Sequence, residues 1–233
     1  DEVLFSSIYP ELIKQNNNVI IECDYRLKNI YKRSFNYDKF ISKSSILRSK
    51  SNLIKFDFSI YAGLLCNIFR KNLSDFNYKK YLKPNIKRVN YFYRRLGNIN
   101  SLPKVGISWI STRLDLGKDK SIDLKELLPI LKRKNLSFVN LQYGDFSKTI
   151  NEFNAKYNIN IIDVPELDKF KDIEGLLALI SELDLVITVS NTTAHLSGSI
   201  GKQTLLLSPN NRAQLFYWML SKDKTPWYPS IKI

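Results

Sequence analysis

The chain has 233 residues and is 44% hydrophobic, which suffices for a buried core and argues against wholesale disorder. Charged residues interrupt every long apolar run, so the sequence contains no candidate membrane span. The formal net charge of +14 favours an anionic partner: a phosphorylated ligand, a membrane surface or a nucleic acid. Nucleic acid is the least favoured of these partners, because no nucleic-acid-binding motif accompanies the lysine- and asparagine-rich composition.

The two cysteines, Cys23 and Cys66, have no metal-ligand spacing, and nothing indicates a disulfide framework. Isolated thiols are typical of a reducing compartment. We therefore expect a cytoplasmic protein, with the inner membrane surface as an alternative location. Residue 1 is aspartate rather than methionine, so we also expect the sequence to be part of a longer protein.

The first hundred residues have the periodicity of short helices and strands, resembling an incomplete βα domain. The predicted order is a helix at 2–15, a strand at 19–21, a helix at 26–35, a strand at 40–41, a loop at 44–55 and a helix at 59–70. Residues 71–100 mix tyrosines with lysines and arginines. Such a segment suits an interdomain surface, and it also suits contact with an acceptor or RNA.

From residue 104 onward, predicted strands and helices alternate, which is typical of a parallel sheet with helices on both faces. The strands are predicted at 104–109, 138–142, 159–163, 185–189 and 203–207, and the helices at 124–134, 146–157, 173–183 and 193–200. We therefore expect an α/β fold with two Rossmann-like domains, 1–100 and 101–233, in which the first domain is truncated.

Polar turns follow the predicted strands of the second domain. They lie at 108–113, 142–145, 164–172, 190–195 and 208–212. Ligands of open parallel sheets bind outside the carboxyl ends of the strands, so we expect these turns to line one cleft. Trp109 and Tyr143 in these turns suit stacking on a base or sugar, although core packing is the more frequent fate of such aromatics.

The turn at 190–195 joins a buried strand to a helix and contains the only histidine, His195. The start of a helix presents free N–H groups and the positive end of its dipole, which together favour a phosphate. Asn191, Thr192 and Thr193 are also good helix-capping residues, and capping is compatible with phosphate binding.

Several segments resemble a known group of proteins. They are residues 1–5, 22–27, 33–35, 105–109, 139–145, 183–189, 195–198 and 226–229, in this order. This set resembles the glycosyltransferase-like region that follows tetratricopeptide repeats in many bacterial proteins. That region is similar to the heptosyltransferases of glycosyltransferase family 9 and, more distantly, to the O-linked N-acetylglucosamine transferases.

The resemblance implies a GT-B fold and sugar transfer from a nucleoside-diphosphate donor without a metal or another cofactor. The donor would lie in the C-terminal domain, and a glycan or protein acceptor across the cleft. The resemblance assigns Asp1 as general base, Lys120 as the counter-charge of the leaving diphosphate, and His195 as a hydrogen-bonding partner of the donor phosphates. The expected nucleotide-sugar-binding residues are Ser108, Trp109, Gln142, Tyr143, Asp172, Ser190, Asn191, Thr192 and Thr193.

Two alternatives to catalysis stay open. Many relatives carry aspartate at the position of Ser190, so a non-catalytic nucleotide-sugar-binding or protein-interaction module attached to a repeat domain is the second hypothesis. A nucleic-acid binder, suggested only by net charge, is the third. Lys118 lies close to Lys120 in sequence and is an equally plausible phosphate partner.

Overall fold

The computed structural model describes residues 2–15, 18–42, 56–76, 79–97, 101–218 and 223–233. Within these residues the strands form a two-stranded and a six-stranded sheet, and the named strands all pair in parallel. This confirms the predicted α/β fold with parallel sheets. The loop predicted at 44–55 lies outside the described residues.

The smaller sheet and its helices come from the first part of the chain. In chain order the elements are α1 (Glu2–Phe5), a 3₁₀ turn (Ser6–Ile8), α2 (Tyr9–Gln15), β1 (Ile21–Cys23), α3 (Lys28–Phe35) and β2 (Phe40–Ser42). Strand β1 pairs with β2, with Ile21 opposite Phe40. The rings of Tyr9, Tyr31 and Phe40 pack together and are buried, which fixes the helices on this sheet.

The helix predicted at 59–70 is wrong over most of its length, because only α4 (Cys66–Phe69) and a 3₁₀ turn (Leu73–Asp75) form near it. Its apolar residues do not share a buried face: Ile60 is 56% exposed and Tyr61 is 84% exposed. Without a packed face, helical periodicity contributes little stability.

A longer helix, α5 (Ile86–Gly97), forms in the basic and aromatic segment for which no element was predicted. It buries Phe92 and Leu96. Its Arg88 pairs with Asp172. Its Arg95 pairs with Glu166 at 3.2 Å. This face of the segment is therefore used for packing within the chain.

The larger sheet has the strand order β5-β4-β3-β6-β7-β8. Its strands are β3 (Lys104–Ser108), β4 (Ser137–Asn140), β5 (Ile161–Ile162), β6 (Leu185–Val189), β7 (Thr204–Leu207) and β8 (Ile231–Lys232). After β3 the chain adds β4 and then β5 on one side of β3. It then crosses back and adds β6, β7 and β8 on the other side. The neighbouring pair β3 and β6 is thus the topological switch point, where open parallel sheets bind ligands.

Helices connect these strands. They are α6 (Gly117–Lys120), a 3₁₀ turn (Leu124–Leu127), α7 (Leu128–Leu131), α8 (Ser147–Tyr157), α9 (Ile173–Ser181), α10 (Thr192–Ser199) and a 3₁₀ turn (Phe216–Trp218). Helix α9 is almost wholly buried. Burial of each of its leucine and isoleucine side chains stabilises the fold by about 1.5–3 kcal/mol.

The largest apolar cluster spans both parts of the chain. It contains Ile8, Tyr31 and Phe92 together with Leu177 and Leu196. The described elements before residue 98 are thus packed directly on helices of the larger sheet. The division into domains 1–100 and 101–233 stays a prediction. Among the described residues, no helix is long and apolar enough to cross a membrane.

Candidate functional site

The turn between β6 and α10 forms the centre of the site. Asn191 caps α10, and its Oδ1 accepts a hydrogen bond of 2.9 Å from the Thr193 N–H. The first-turn N–H groups of Thr192 and Ala194 have no acceptor within the helix. Thr192 is exposed, whereas Thr193 is fully buried. The structure therefore places free N–H groups and the positive end of the helix dipole at the switch point.

Asn191 also ties this turn to the end of β3. Its Nδ2 donates to Ser108 Oγ at 2.8 Å and to the Ile110 carbonyl at 3.2 Å. Its Oδ1 accepts a second hydrogen bond of 3.1 Å from Thr188 Oγ1. The amide of Asn191 is therefore fully engaged in holding two strand ends together, and it leaves the helix N-terminus open.

Gln142, after β4, binds the same β3 turn from the other side and is completely buried. Its Oε1 accepts from Ser108 Oγ at 3.1 Å, Trp109 N at 2.9 Å and Ile110 N at 2.8 Å. Its Nε2 donates to the carbonyls of Ile110 at 3.4 Å and Tyr143 at 3.2 Å. Every donor and acceptor of this side chain is used, so Gln142 positions the turn.

Lys120 lies at the end of α6, in the loop that follows β3. The helix approaches the chain before it so closely that a Cβ on Gly117 would sit 2.4 Å from the Ser111 carbonyl oxygen. Lys120 is only 5% exposed, whereas Lys118 on the same short helix is exposed. The structure thus distinguishes the two lysines that the sequence left equivalent.

The ammonium of Lys120 makes no hydrogen bond or ion pair with any described residue. Burial lowers the pKa of Lys120, and the nearby positive charge of Arg113 lowers it further, while Asp115 opposes the shift. Partial loss of water around a cation is unfavourable unless a counter-charge replaces it, and a bound anion would supply that counter-charge. The positive charge of Lys120, with Arg113 nearby, therefore favours the binding of an anion at this site.

His195 lies on α10 and is 6% exposed. Its ring stacks on Trp218 with a centroid separation of 5.1 Å and an interplanar angle of 22°. Its Nδ1 lies 3.1 Å from the Tyr228 hydroxyl. Burial, reinforced by neighbouring positive charge that includes Lys120, lowers the pKa of His195 to about 3. The imidazole is therefore neutral at physiological pH.

The remaining predicted site residues have internal partners. Ser190 Oγ accepts from Trp218 Nε1 at 2.9 Å. The ring of Trp109 packs in an apolar cluster against Phe146. Asp172 caps α9 through a 2.8 Å bond from Gly175 N and pairs with Arg88. The Tyr143 hydroxyl accepts from Thr112 N at 2.9 Å. Asp1 lies outside the described residues.

Two buried hydroxyls at this edge of the sheet have no hydrogen-bond partner among the described residues. They are Thr193 Oγ1, at the start of α10, and Ser208 Oγ, directly after β7. Buried polar atoms are nearly always paired, so such hydroxyls mark places for water or a ligand. Ser208 is absent from the predicted site residues, and its position directly after a strand was the available signal.

The loops after β3 and β7 meet beside Lys120. Arg212 Nε donates to Asp119 at 2.8 Å, and Asn211 Nδ2 donates to the Asp119 carbonyl at 3.4 Å. The described residues contain no group of three or more His, Cys, Asp or Glu side chains that could hold a metal ion. The strand ends therefore bring together a lysine, a helix N-terminus and hydroxyl groups.

Comparison with solved structures defines the class of the fold. The chain aligns over 100% of its length with 86% of the E. coli ADP-heptose LPS heptosyltransferase II chain, with a TM-score of 0.62 and 10% identity. It aligns over 90% of its length with 78% of a glycosyl transferase family 9 structure from Veillonella parvula, with a TM-score of 0.58 and 12% identity. The fold is thus GT-B-like, as predicted.

Sequence comparison gives one curated relative. The whole chain is 25% identical to Protein FlbA of Caulobacter vibrioides over 246 aligned residues and spans 41% of that protein's length. No family model matches the chain. These comparisons do not test the predicted tetratricopeptide repeats or the link to O-linked N-acetylglucosamine transferases.

Proposed function

We propose that this chain is the catalytic part of a metal-independent glycosyltransferase. It transfers a sugar from a nucleoside-diphosphate sugar to a glycan or protein acceptor. The donor binds at the β3–β6 switch point, within 101–233. The acceptor binds on the side formed by 1–100, where Asp1 is the general base. Tetratricopeptide repeats would precede this chain in the full-length protein.

The observation that carries the proposal is the largely buried side chain of Lys120, whose ammonium has no hydrogen-bond or ion-pair partner among the described residues. A diphosphate beside it would supply the missing counter-charge, and that charge grows as the glycosidic bond breaks and the nucleoside diphosphate leaves. Preorganised positive charge stabilises such a transition state without solvent reorganisation. Lys120 would in this way take the place that a divalent cation holds in metal-dependent transferases.

The start of α10 supports the same assignment. Its free N–H groups and helix dipole favour phosphate oxygens. Thr193 Oγ1 and Ser208 Oγ are buried hydroxyls without described partners, and both can donate to a phosphate or sugar oxygen. Asn191 holds the start of α10 through the Thr193 N–H, and Gln142 holds the β3 turn to which Asn191 is bonded.

One observation favours a second function, nucleotide-sugar binding without transfer. By the family resemblance, many relatives carry aspartate where this chain has Ser190, and the Ser190 hydroxyl accepts a hydrogen bond from Trp218 Nε1 at 2.9 Å. The site would then bind the donor without assisting the chemistry, as part of a module attached to a repeat domain.

Thermal unfolding in the presence of nucleoside diphosphates and their sugar conjugates tests the proposal. A ligand that binds only the folded state raises the melting temperature in a concentration-dependent way. We expect at least one nucleoside-diphosphate sugar to raise the melting temperature by the same amount with and without EDTA. Binding that requires a divalent cation would overturn metal independence, and no shift with any nucleotide would overturn the proposal. Donor consumption by the full-length protein separates catalysis from binding alone.

A further inference from the structure

A chain of hydrogen bonds connects His195 to the first helix of the protein. His195 Nδ1 lies 3.1 Å from the Tyr228 hydroxyl oxygen. That oxygen lies 3.2 Å from the hydroxyl oxygen of Tyr81. The Tyr81 hydroxyl donates to the Val3 carbonyl at 2.8 Å. This series of hydrogen bonds thus joins three side chains and one main-chain carbonyl from four separate parts of the sequence.

The direction of each bond follows from counting protons. A carbonyl oxygen only accepts, so the single hydroxyl proton of Tyr81 lies toward Val3. The proton in the contact between the two tyrosines must then come from Tyr228. Tyr228 has no second proton and offers only a lone pair to His195. All three hydrogen bonds form together only when Nδ1 of His195 carries a proton.

We propose that Tyr228 and Tyr81 are positioning residues that fix His195 as the Nδ1–H tautomer, which leaves Nε2 with a lone pair that can only accept a hydrogen bond. In the opposite tautomer the Tyr228 proton would lie toward Nδ1, and the single Tyr81 proton could then serve either Tyr228 or the Val3 carbonyl but not both, so one of the three hydrogen bonds would be lost. Tyr228 is 1% exposed, and an unmade hydrogen bond is most costly in such a buried site.

This tautomer changes what His195 recognises. Phosphate oxygens are hydrogen-bond acceptors, and a neutral imidazole with an unprotonated Nε2 cannot donate to them. A hydroxyl group of the sugar or ribose is the matching partner, while Lys120 and the α10 N-terminus meet the diphosphate. The identity of this ligand group rests on the proposed function, whereas the tautomer does not.

The single histidine makes the tautomer directly measurable. The ligand-free chain is labelled with ¹⁵N-histidine, and long-range ¹H–¹⁵N correlations are recorded near neutral pH. Nε2 couples to both carbon-bound ring protons, so its identity is unambiguous. We expect Nε2 to have the downfield shift of an unprotonated ring nitrogen and Nδ1 the upfield shift of a protonated one. The reverse pattern would overturn the inference.

The variant Tyr81→Phe tests the mechanism without touching the imidazole. It frees the Tyr228 proton, which can then be donated to Nδ1, so the two nitrogen shifts should exchange. Tyr217→Phe is the control, because the Tyr217 ring packs 5.2 Å from the imidazole centroid outside the hydrogen-bond chain. It should leave both shifts in place. Circular dichroism verifies that both variants fold.

An unchanged Nδ1–H signal in folded Tyr81→Phe would overturn the role of the tyrosine pair. If Tyr81→Phe does not fold, the spectrum of the parent chain alone still decides the tautomer. Titration of the labelled chain with nucleoside-diphosphate sugars separates the two proposals. Absence of nucleotide binding with the Nδ1–H tautomer present would count against the proposed function and leave the tautomer standing.

Discussion

Replacing Lys120 by alanine should weaken nucleoside-diphosphate binding without unfolding the protein. Lys120 as a whole residue is 5% exposed, and its ammonium has no described partner, so a bound diphosphate would be its counter-charge. Two unit charges 4 Å apart attract by about 4 kcal/mol at an effective dielectric constant of about 20. A hydrogen bond to a charged group contributes about 1.5–3 kcal/mol net of water.

Water entering the space left by the side chain would offset part of this loss. We therefore expect a loss of about 2 kcal/mol, which corresponds to a roughly 30-fold higher Kd. Isothermal titration calorimetry with the best-binding nucleoside diphosphate measures it. Lys118→Ala is the matched control: its side chain is exposed on the same short helix, and its loss should change Kd by no more than about threefold.

The same substitution should not lower the stability of the ligand-free protein. Burial lowers the pKa of Lys120 in the folded protein, so the folded state disfavours the charged form. Removing the charge relieves that cost, and ligand-free Lys120→Ala should melt no lower than the parent. Equal nucleotide affinity of the two lysine variants would refute the assignment. A large loss of stability in Lys120→Ala would show that the lysine is structural.

Three further changes test other parts of the site. Thr193→Val should raise the nucleotide Kd about fivefold, through loss of a hydrogen bond of about 1 kcal/mol, without lowering the melting temperature; an unchanged Kd would remove Thr193 from the site. Asn191→Ala should lower the free energy of unfolding in urea by about 3 kcal/mol, since it removes a helix cap and leaves buried Ser108 underbonded; a loss below about 1 kcal/mol would contradict the described network. For His195, burial lowers the folded pKa to about 3 from an ordinary 6.5, so the unfolded chain binds the extra proton as pH falls between these values. The stability of the parent relative to His195→Gln should thus decline by up to about 1.4 kcal/mol per pH unit over that window, and a flat difference would refute it.

The elements predicted best are those whose burial is strongest. Strand β6 occupies Leu185–Val189, as predicted, because a continuous apolar run buried on both faces has few alternative structures. Helix α10 begins at Thr192, one residue before its predicted start. The preceding asparagine gives this boundary a clear capping signal.

The elements missed are those held by distant contacts. Helix α5 is rich in arginine and tyrosine, and it is held beside α9 in part by the ion pair between Arg88 and Asp172, the N-cap residue of α9. Strand β8 has only two residues and becomes a strand by pairing with β7. Strand β8 is too short to show a periodicity. Helix α5 does show one, because Val89, Phe92 and Leu96 lie at i, i+3 and i+7, so this helix could have been predicted from the sequence and was missed.

The sequence also predicted only part of the candidate site, namely the residues that have a local pattern. A strand-to-helix turn has a recognisable local pattern, and that pattern identifies Asn191 and His195 from the amino-acid sequence alone. The pattern could not distinguish buried Lys120 from exposed Lys118, because that difference depends on how the β3 loop folds back. It also could not identify Tyr228 as the partner of His195, since 33 residues separate them.

The saturated amide of Gln142 also constrains how this site can evolve. Its side chain accepts from Ser108 and Ile110 and donates to Ile110 and Tyr143, with no spare capacity. A mutation at Gln142, Ser108 or Asn191 alone leaves a buried group unpaired, so lineages should replace these residues together or not at all. Exposed Thr192, the residue after Asn191, is free of that constraint and can diverge independently.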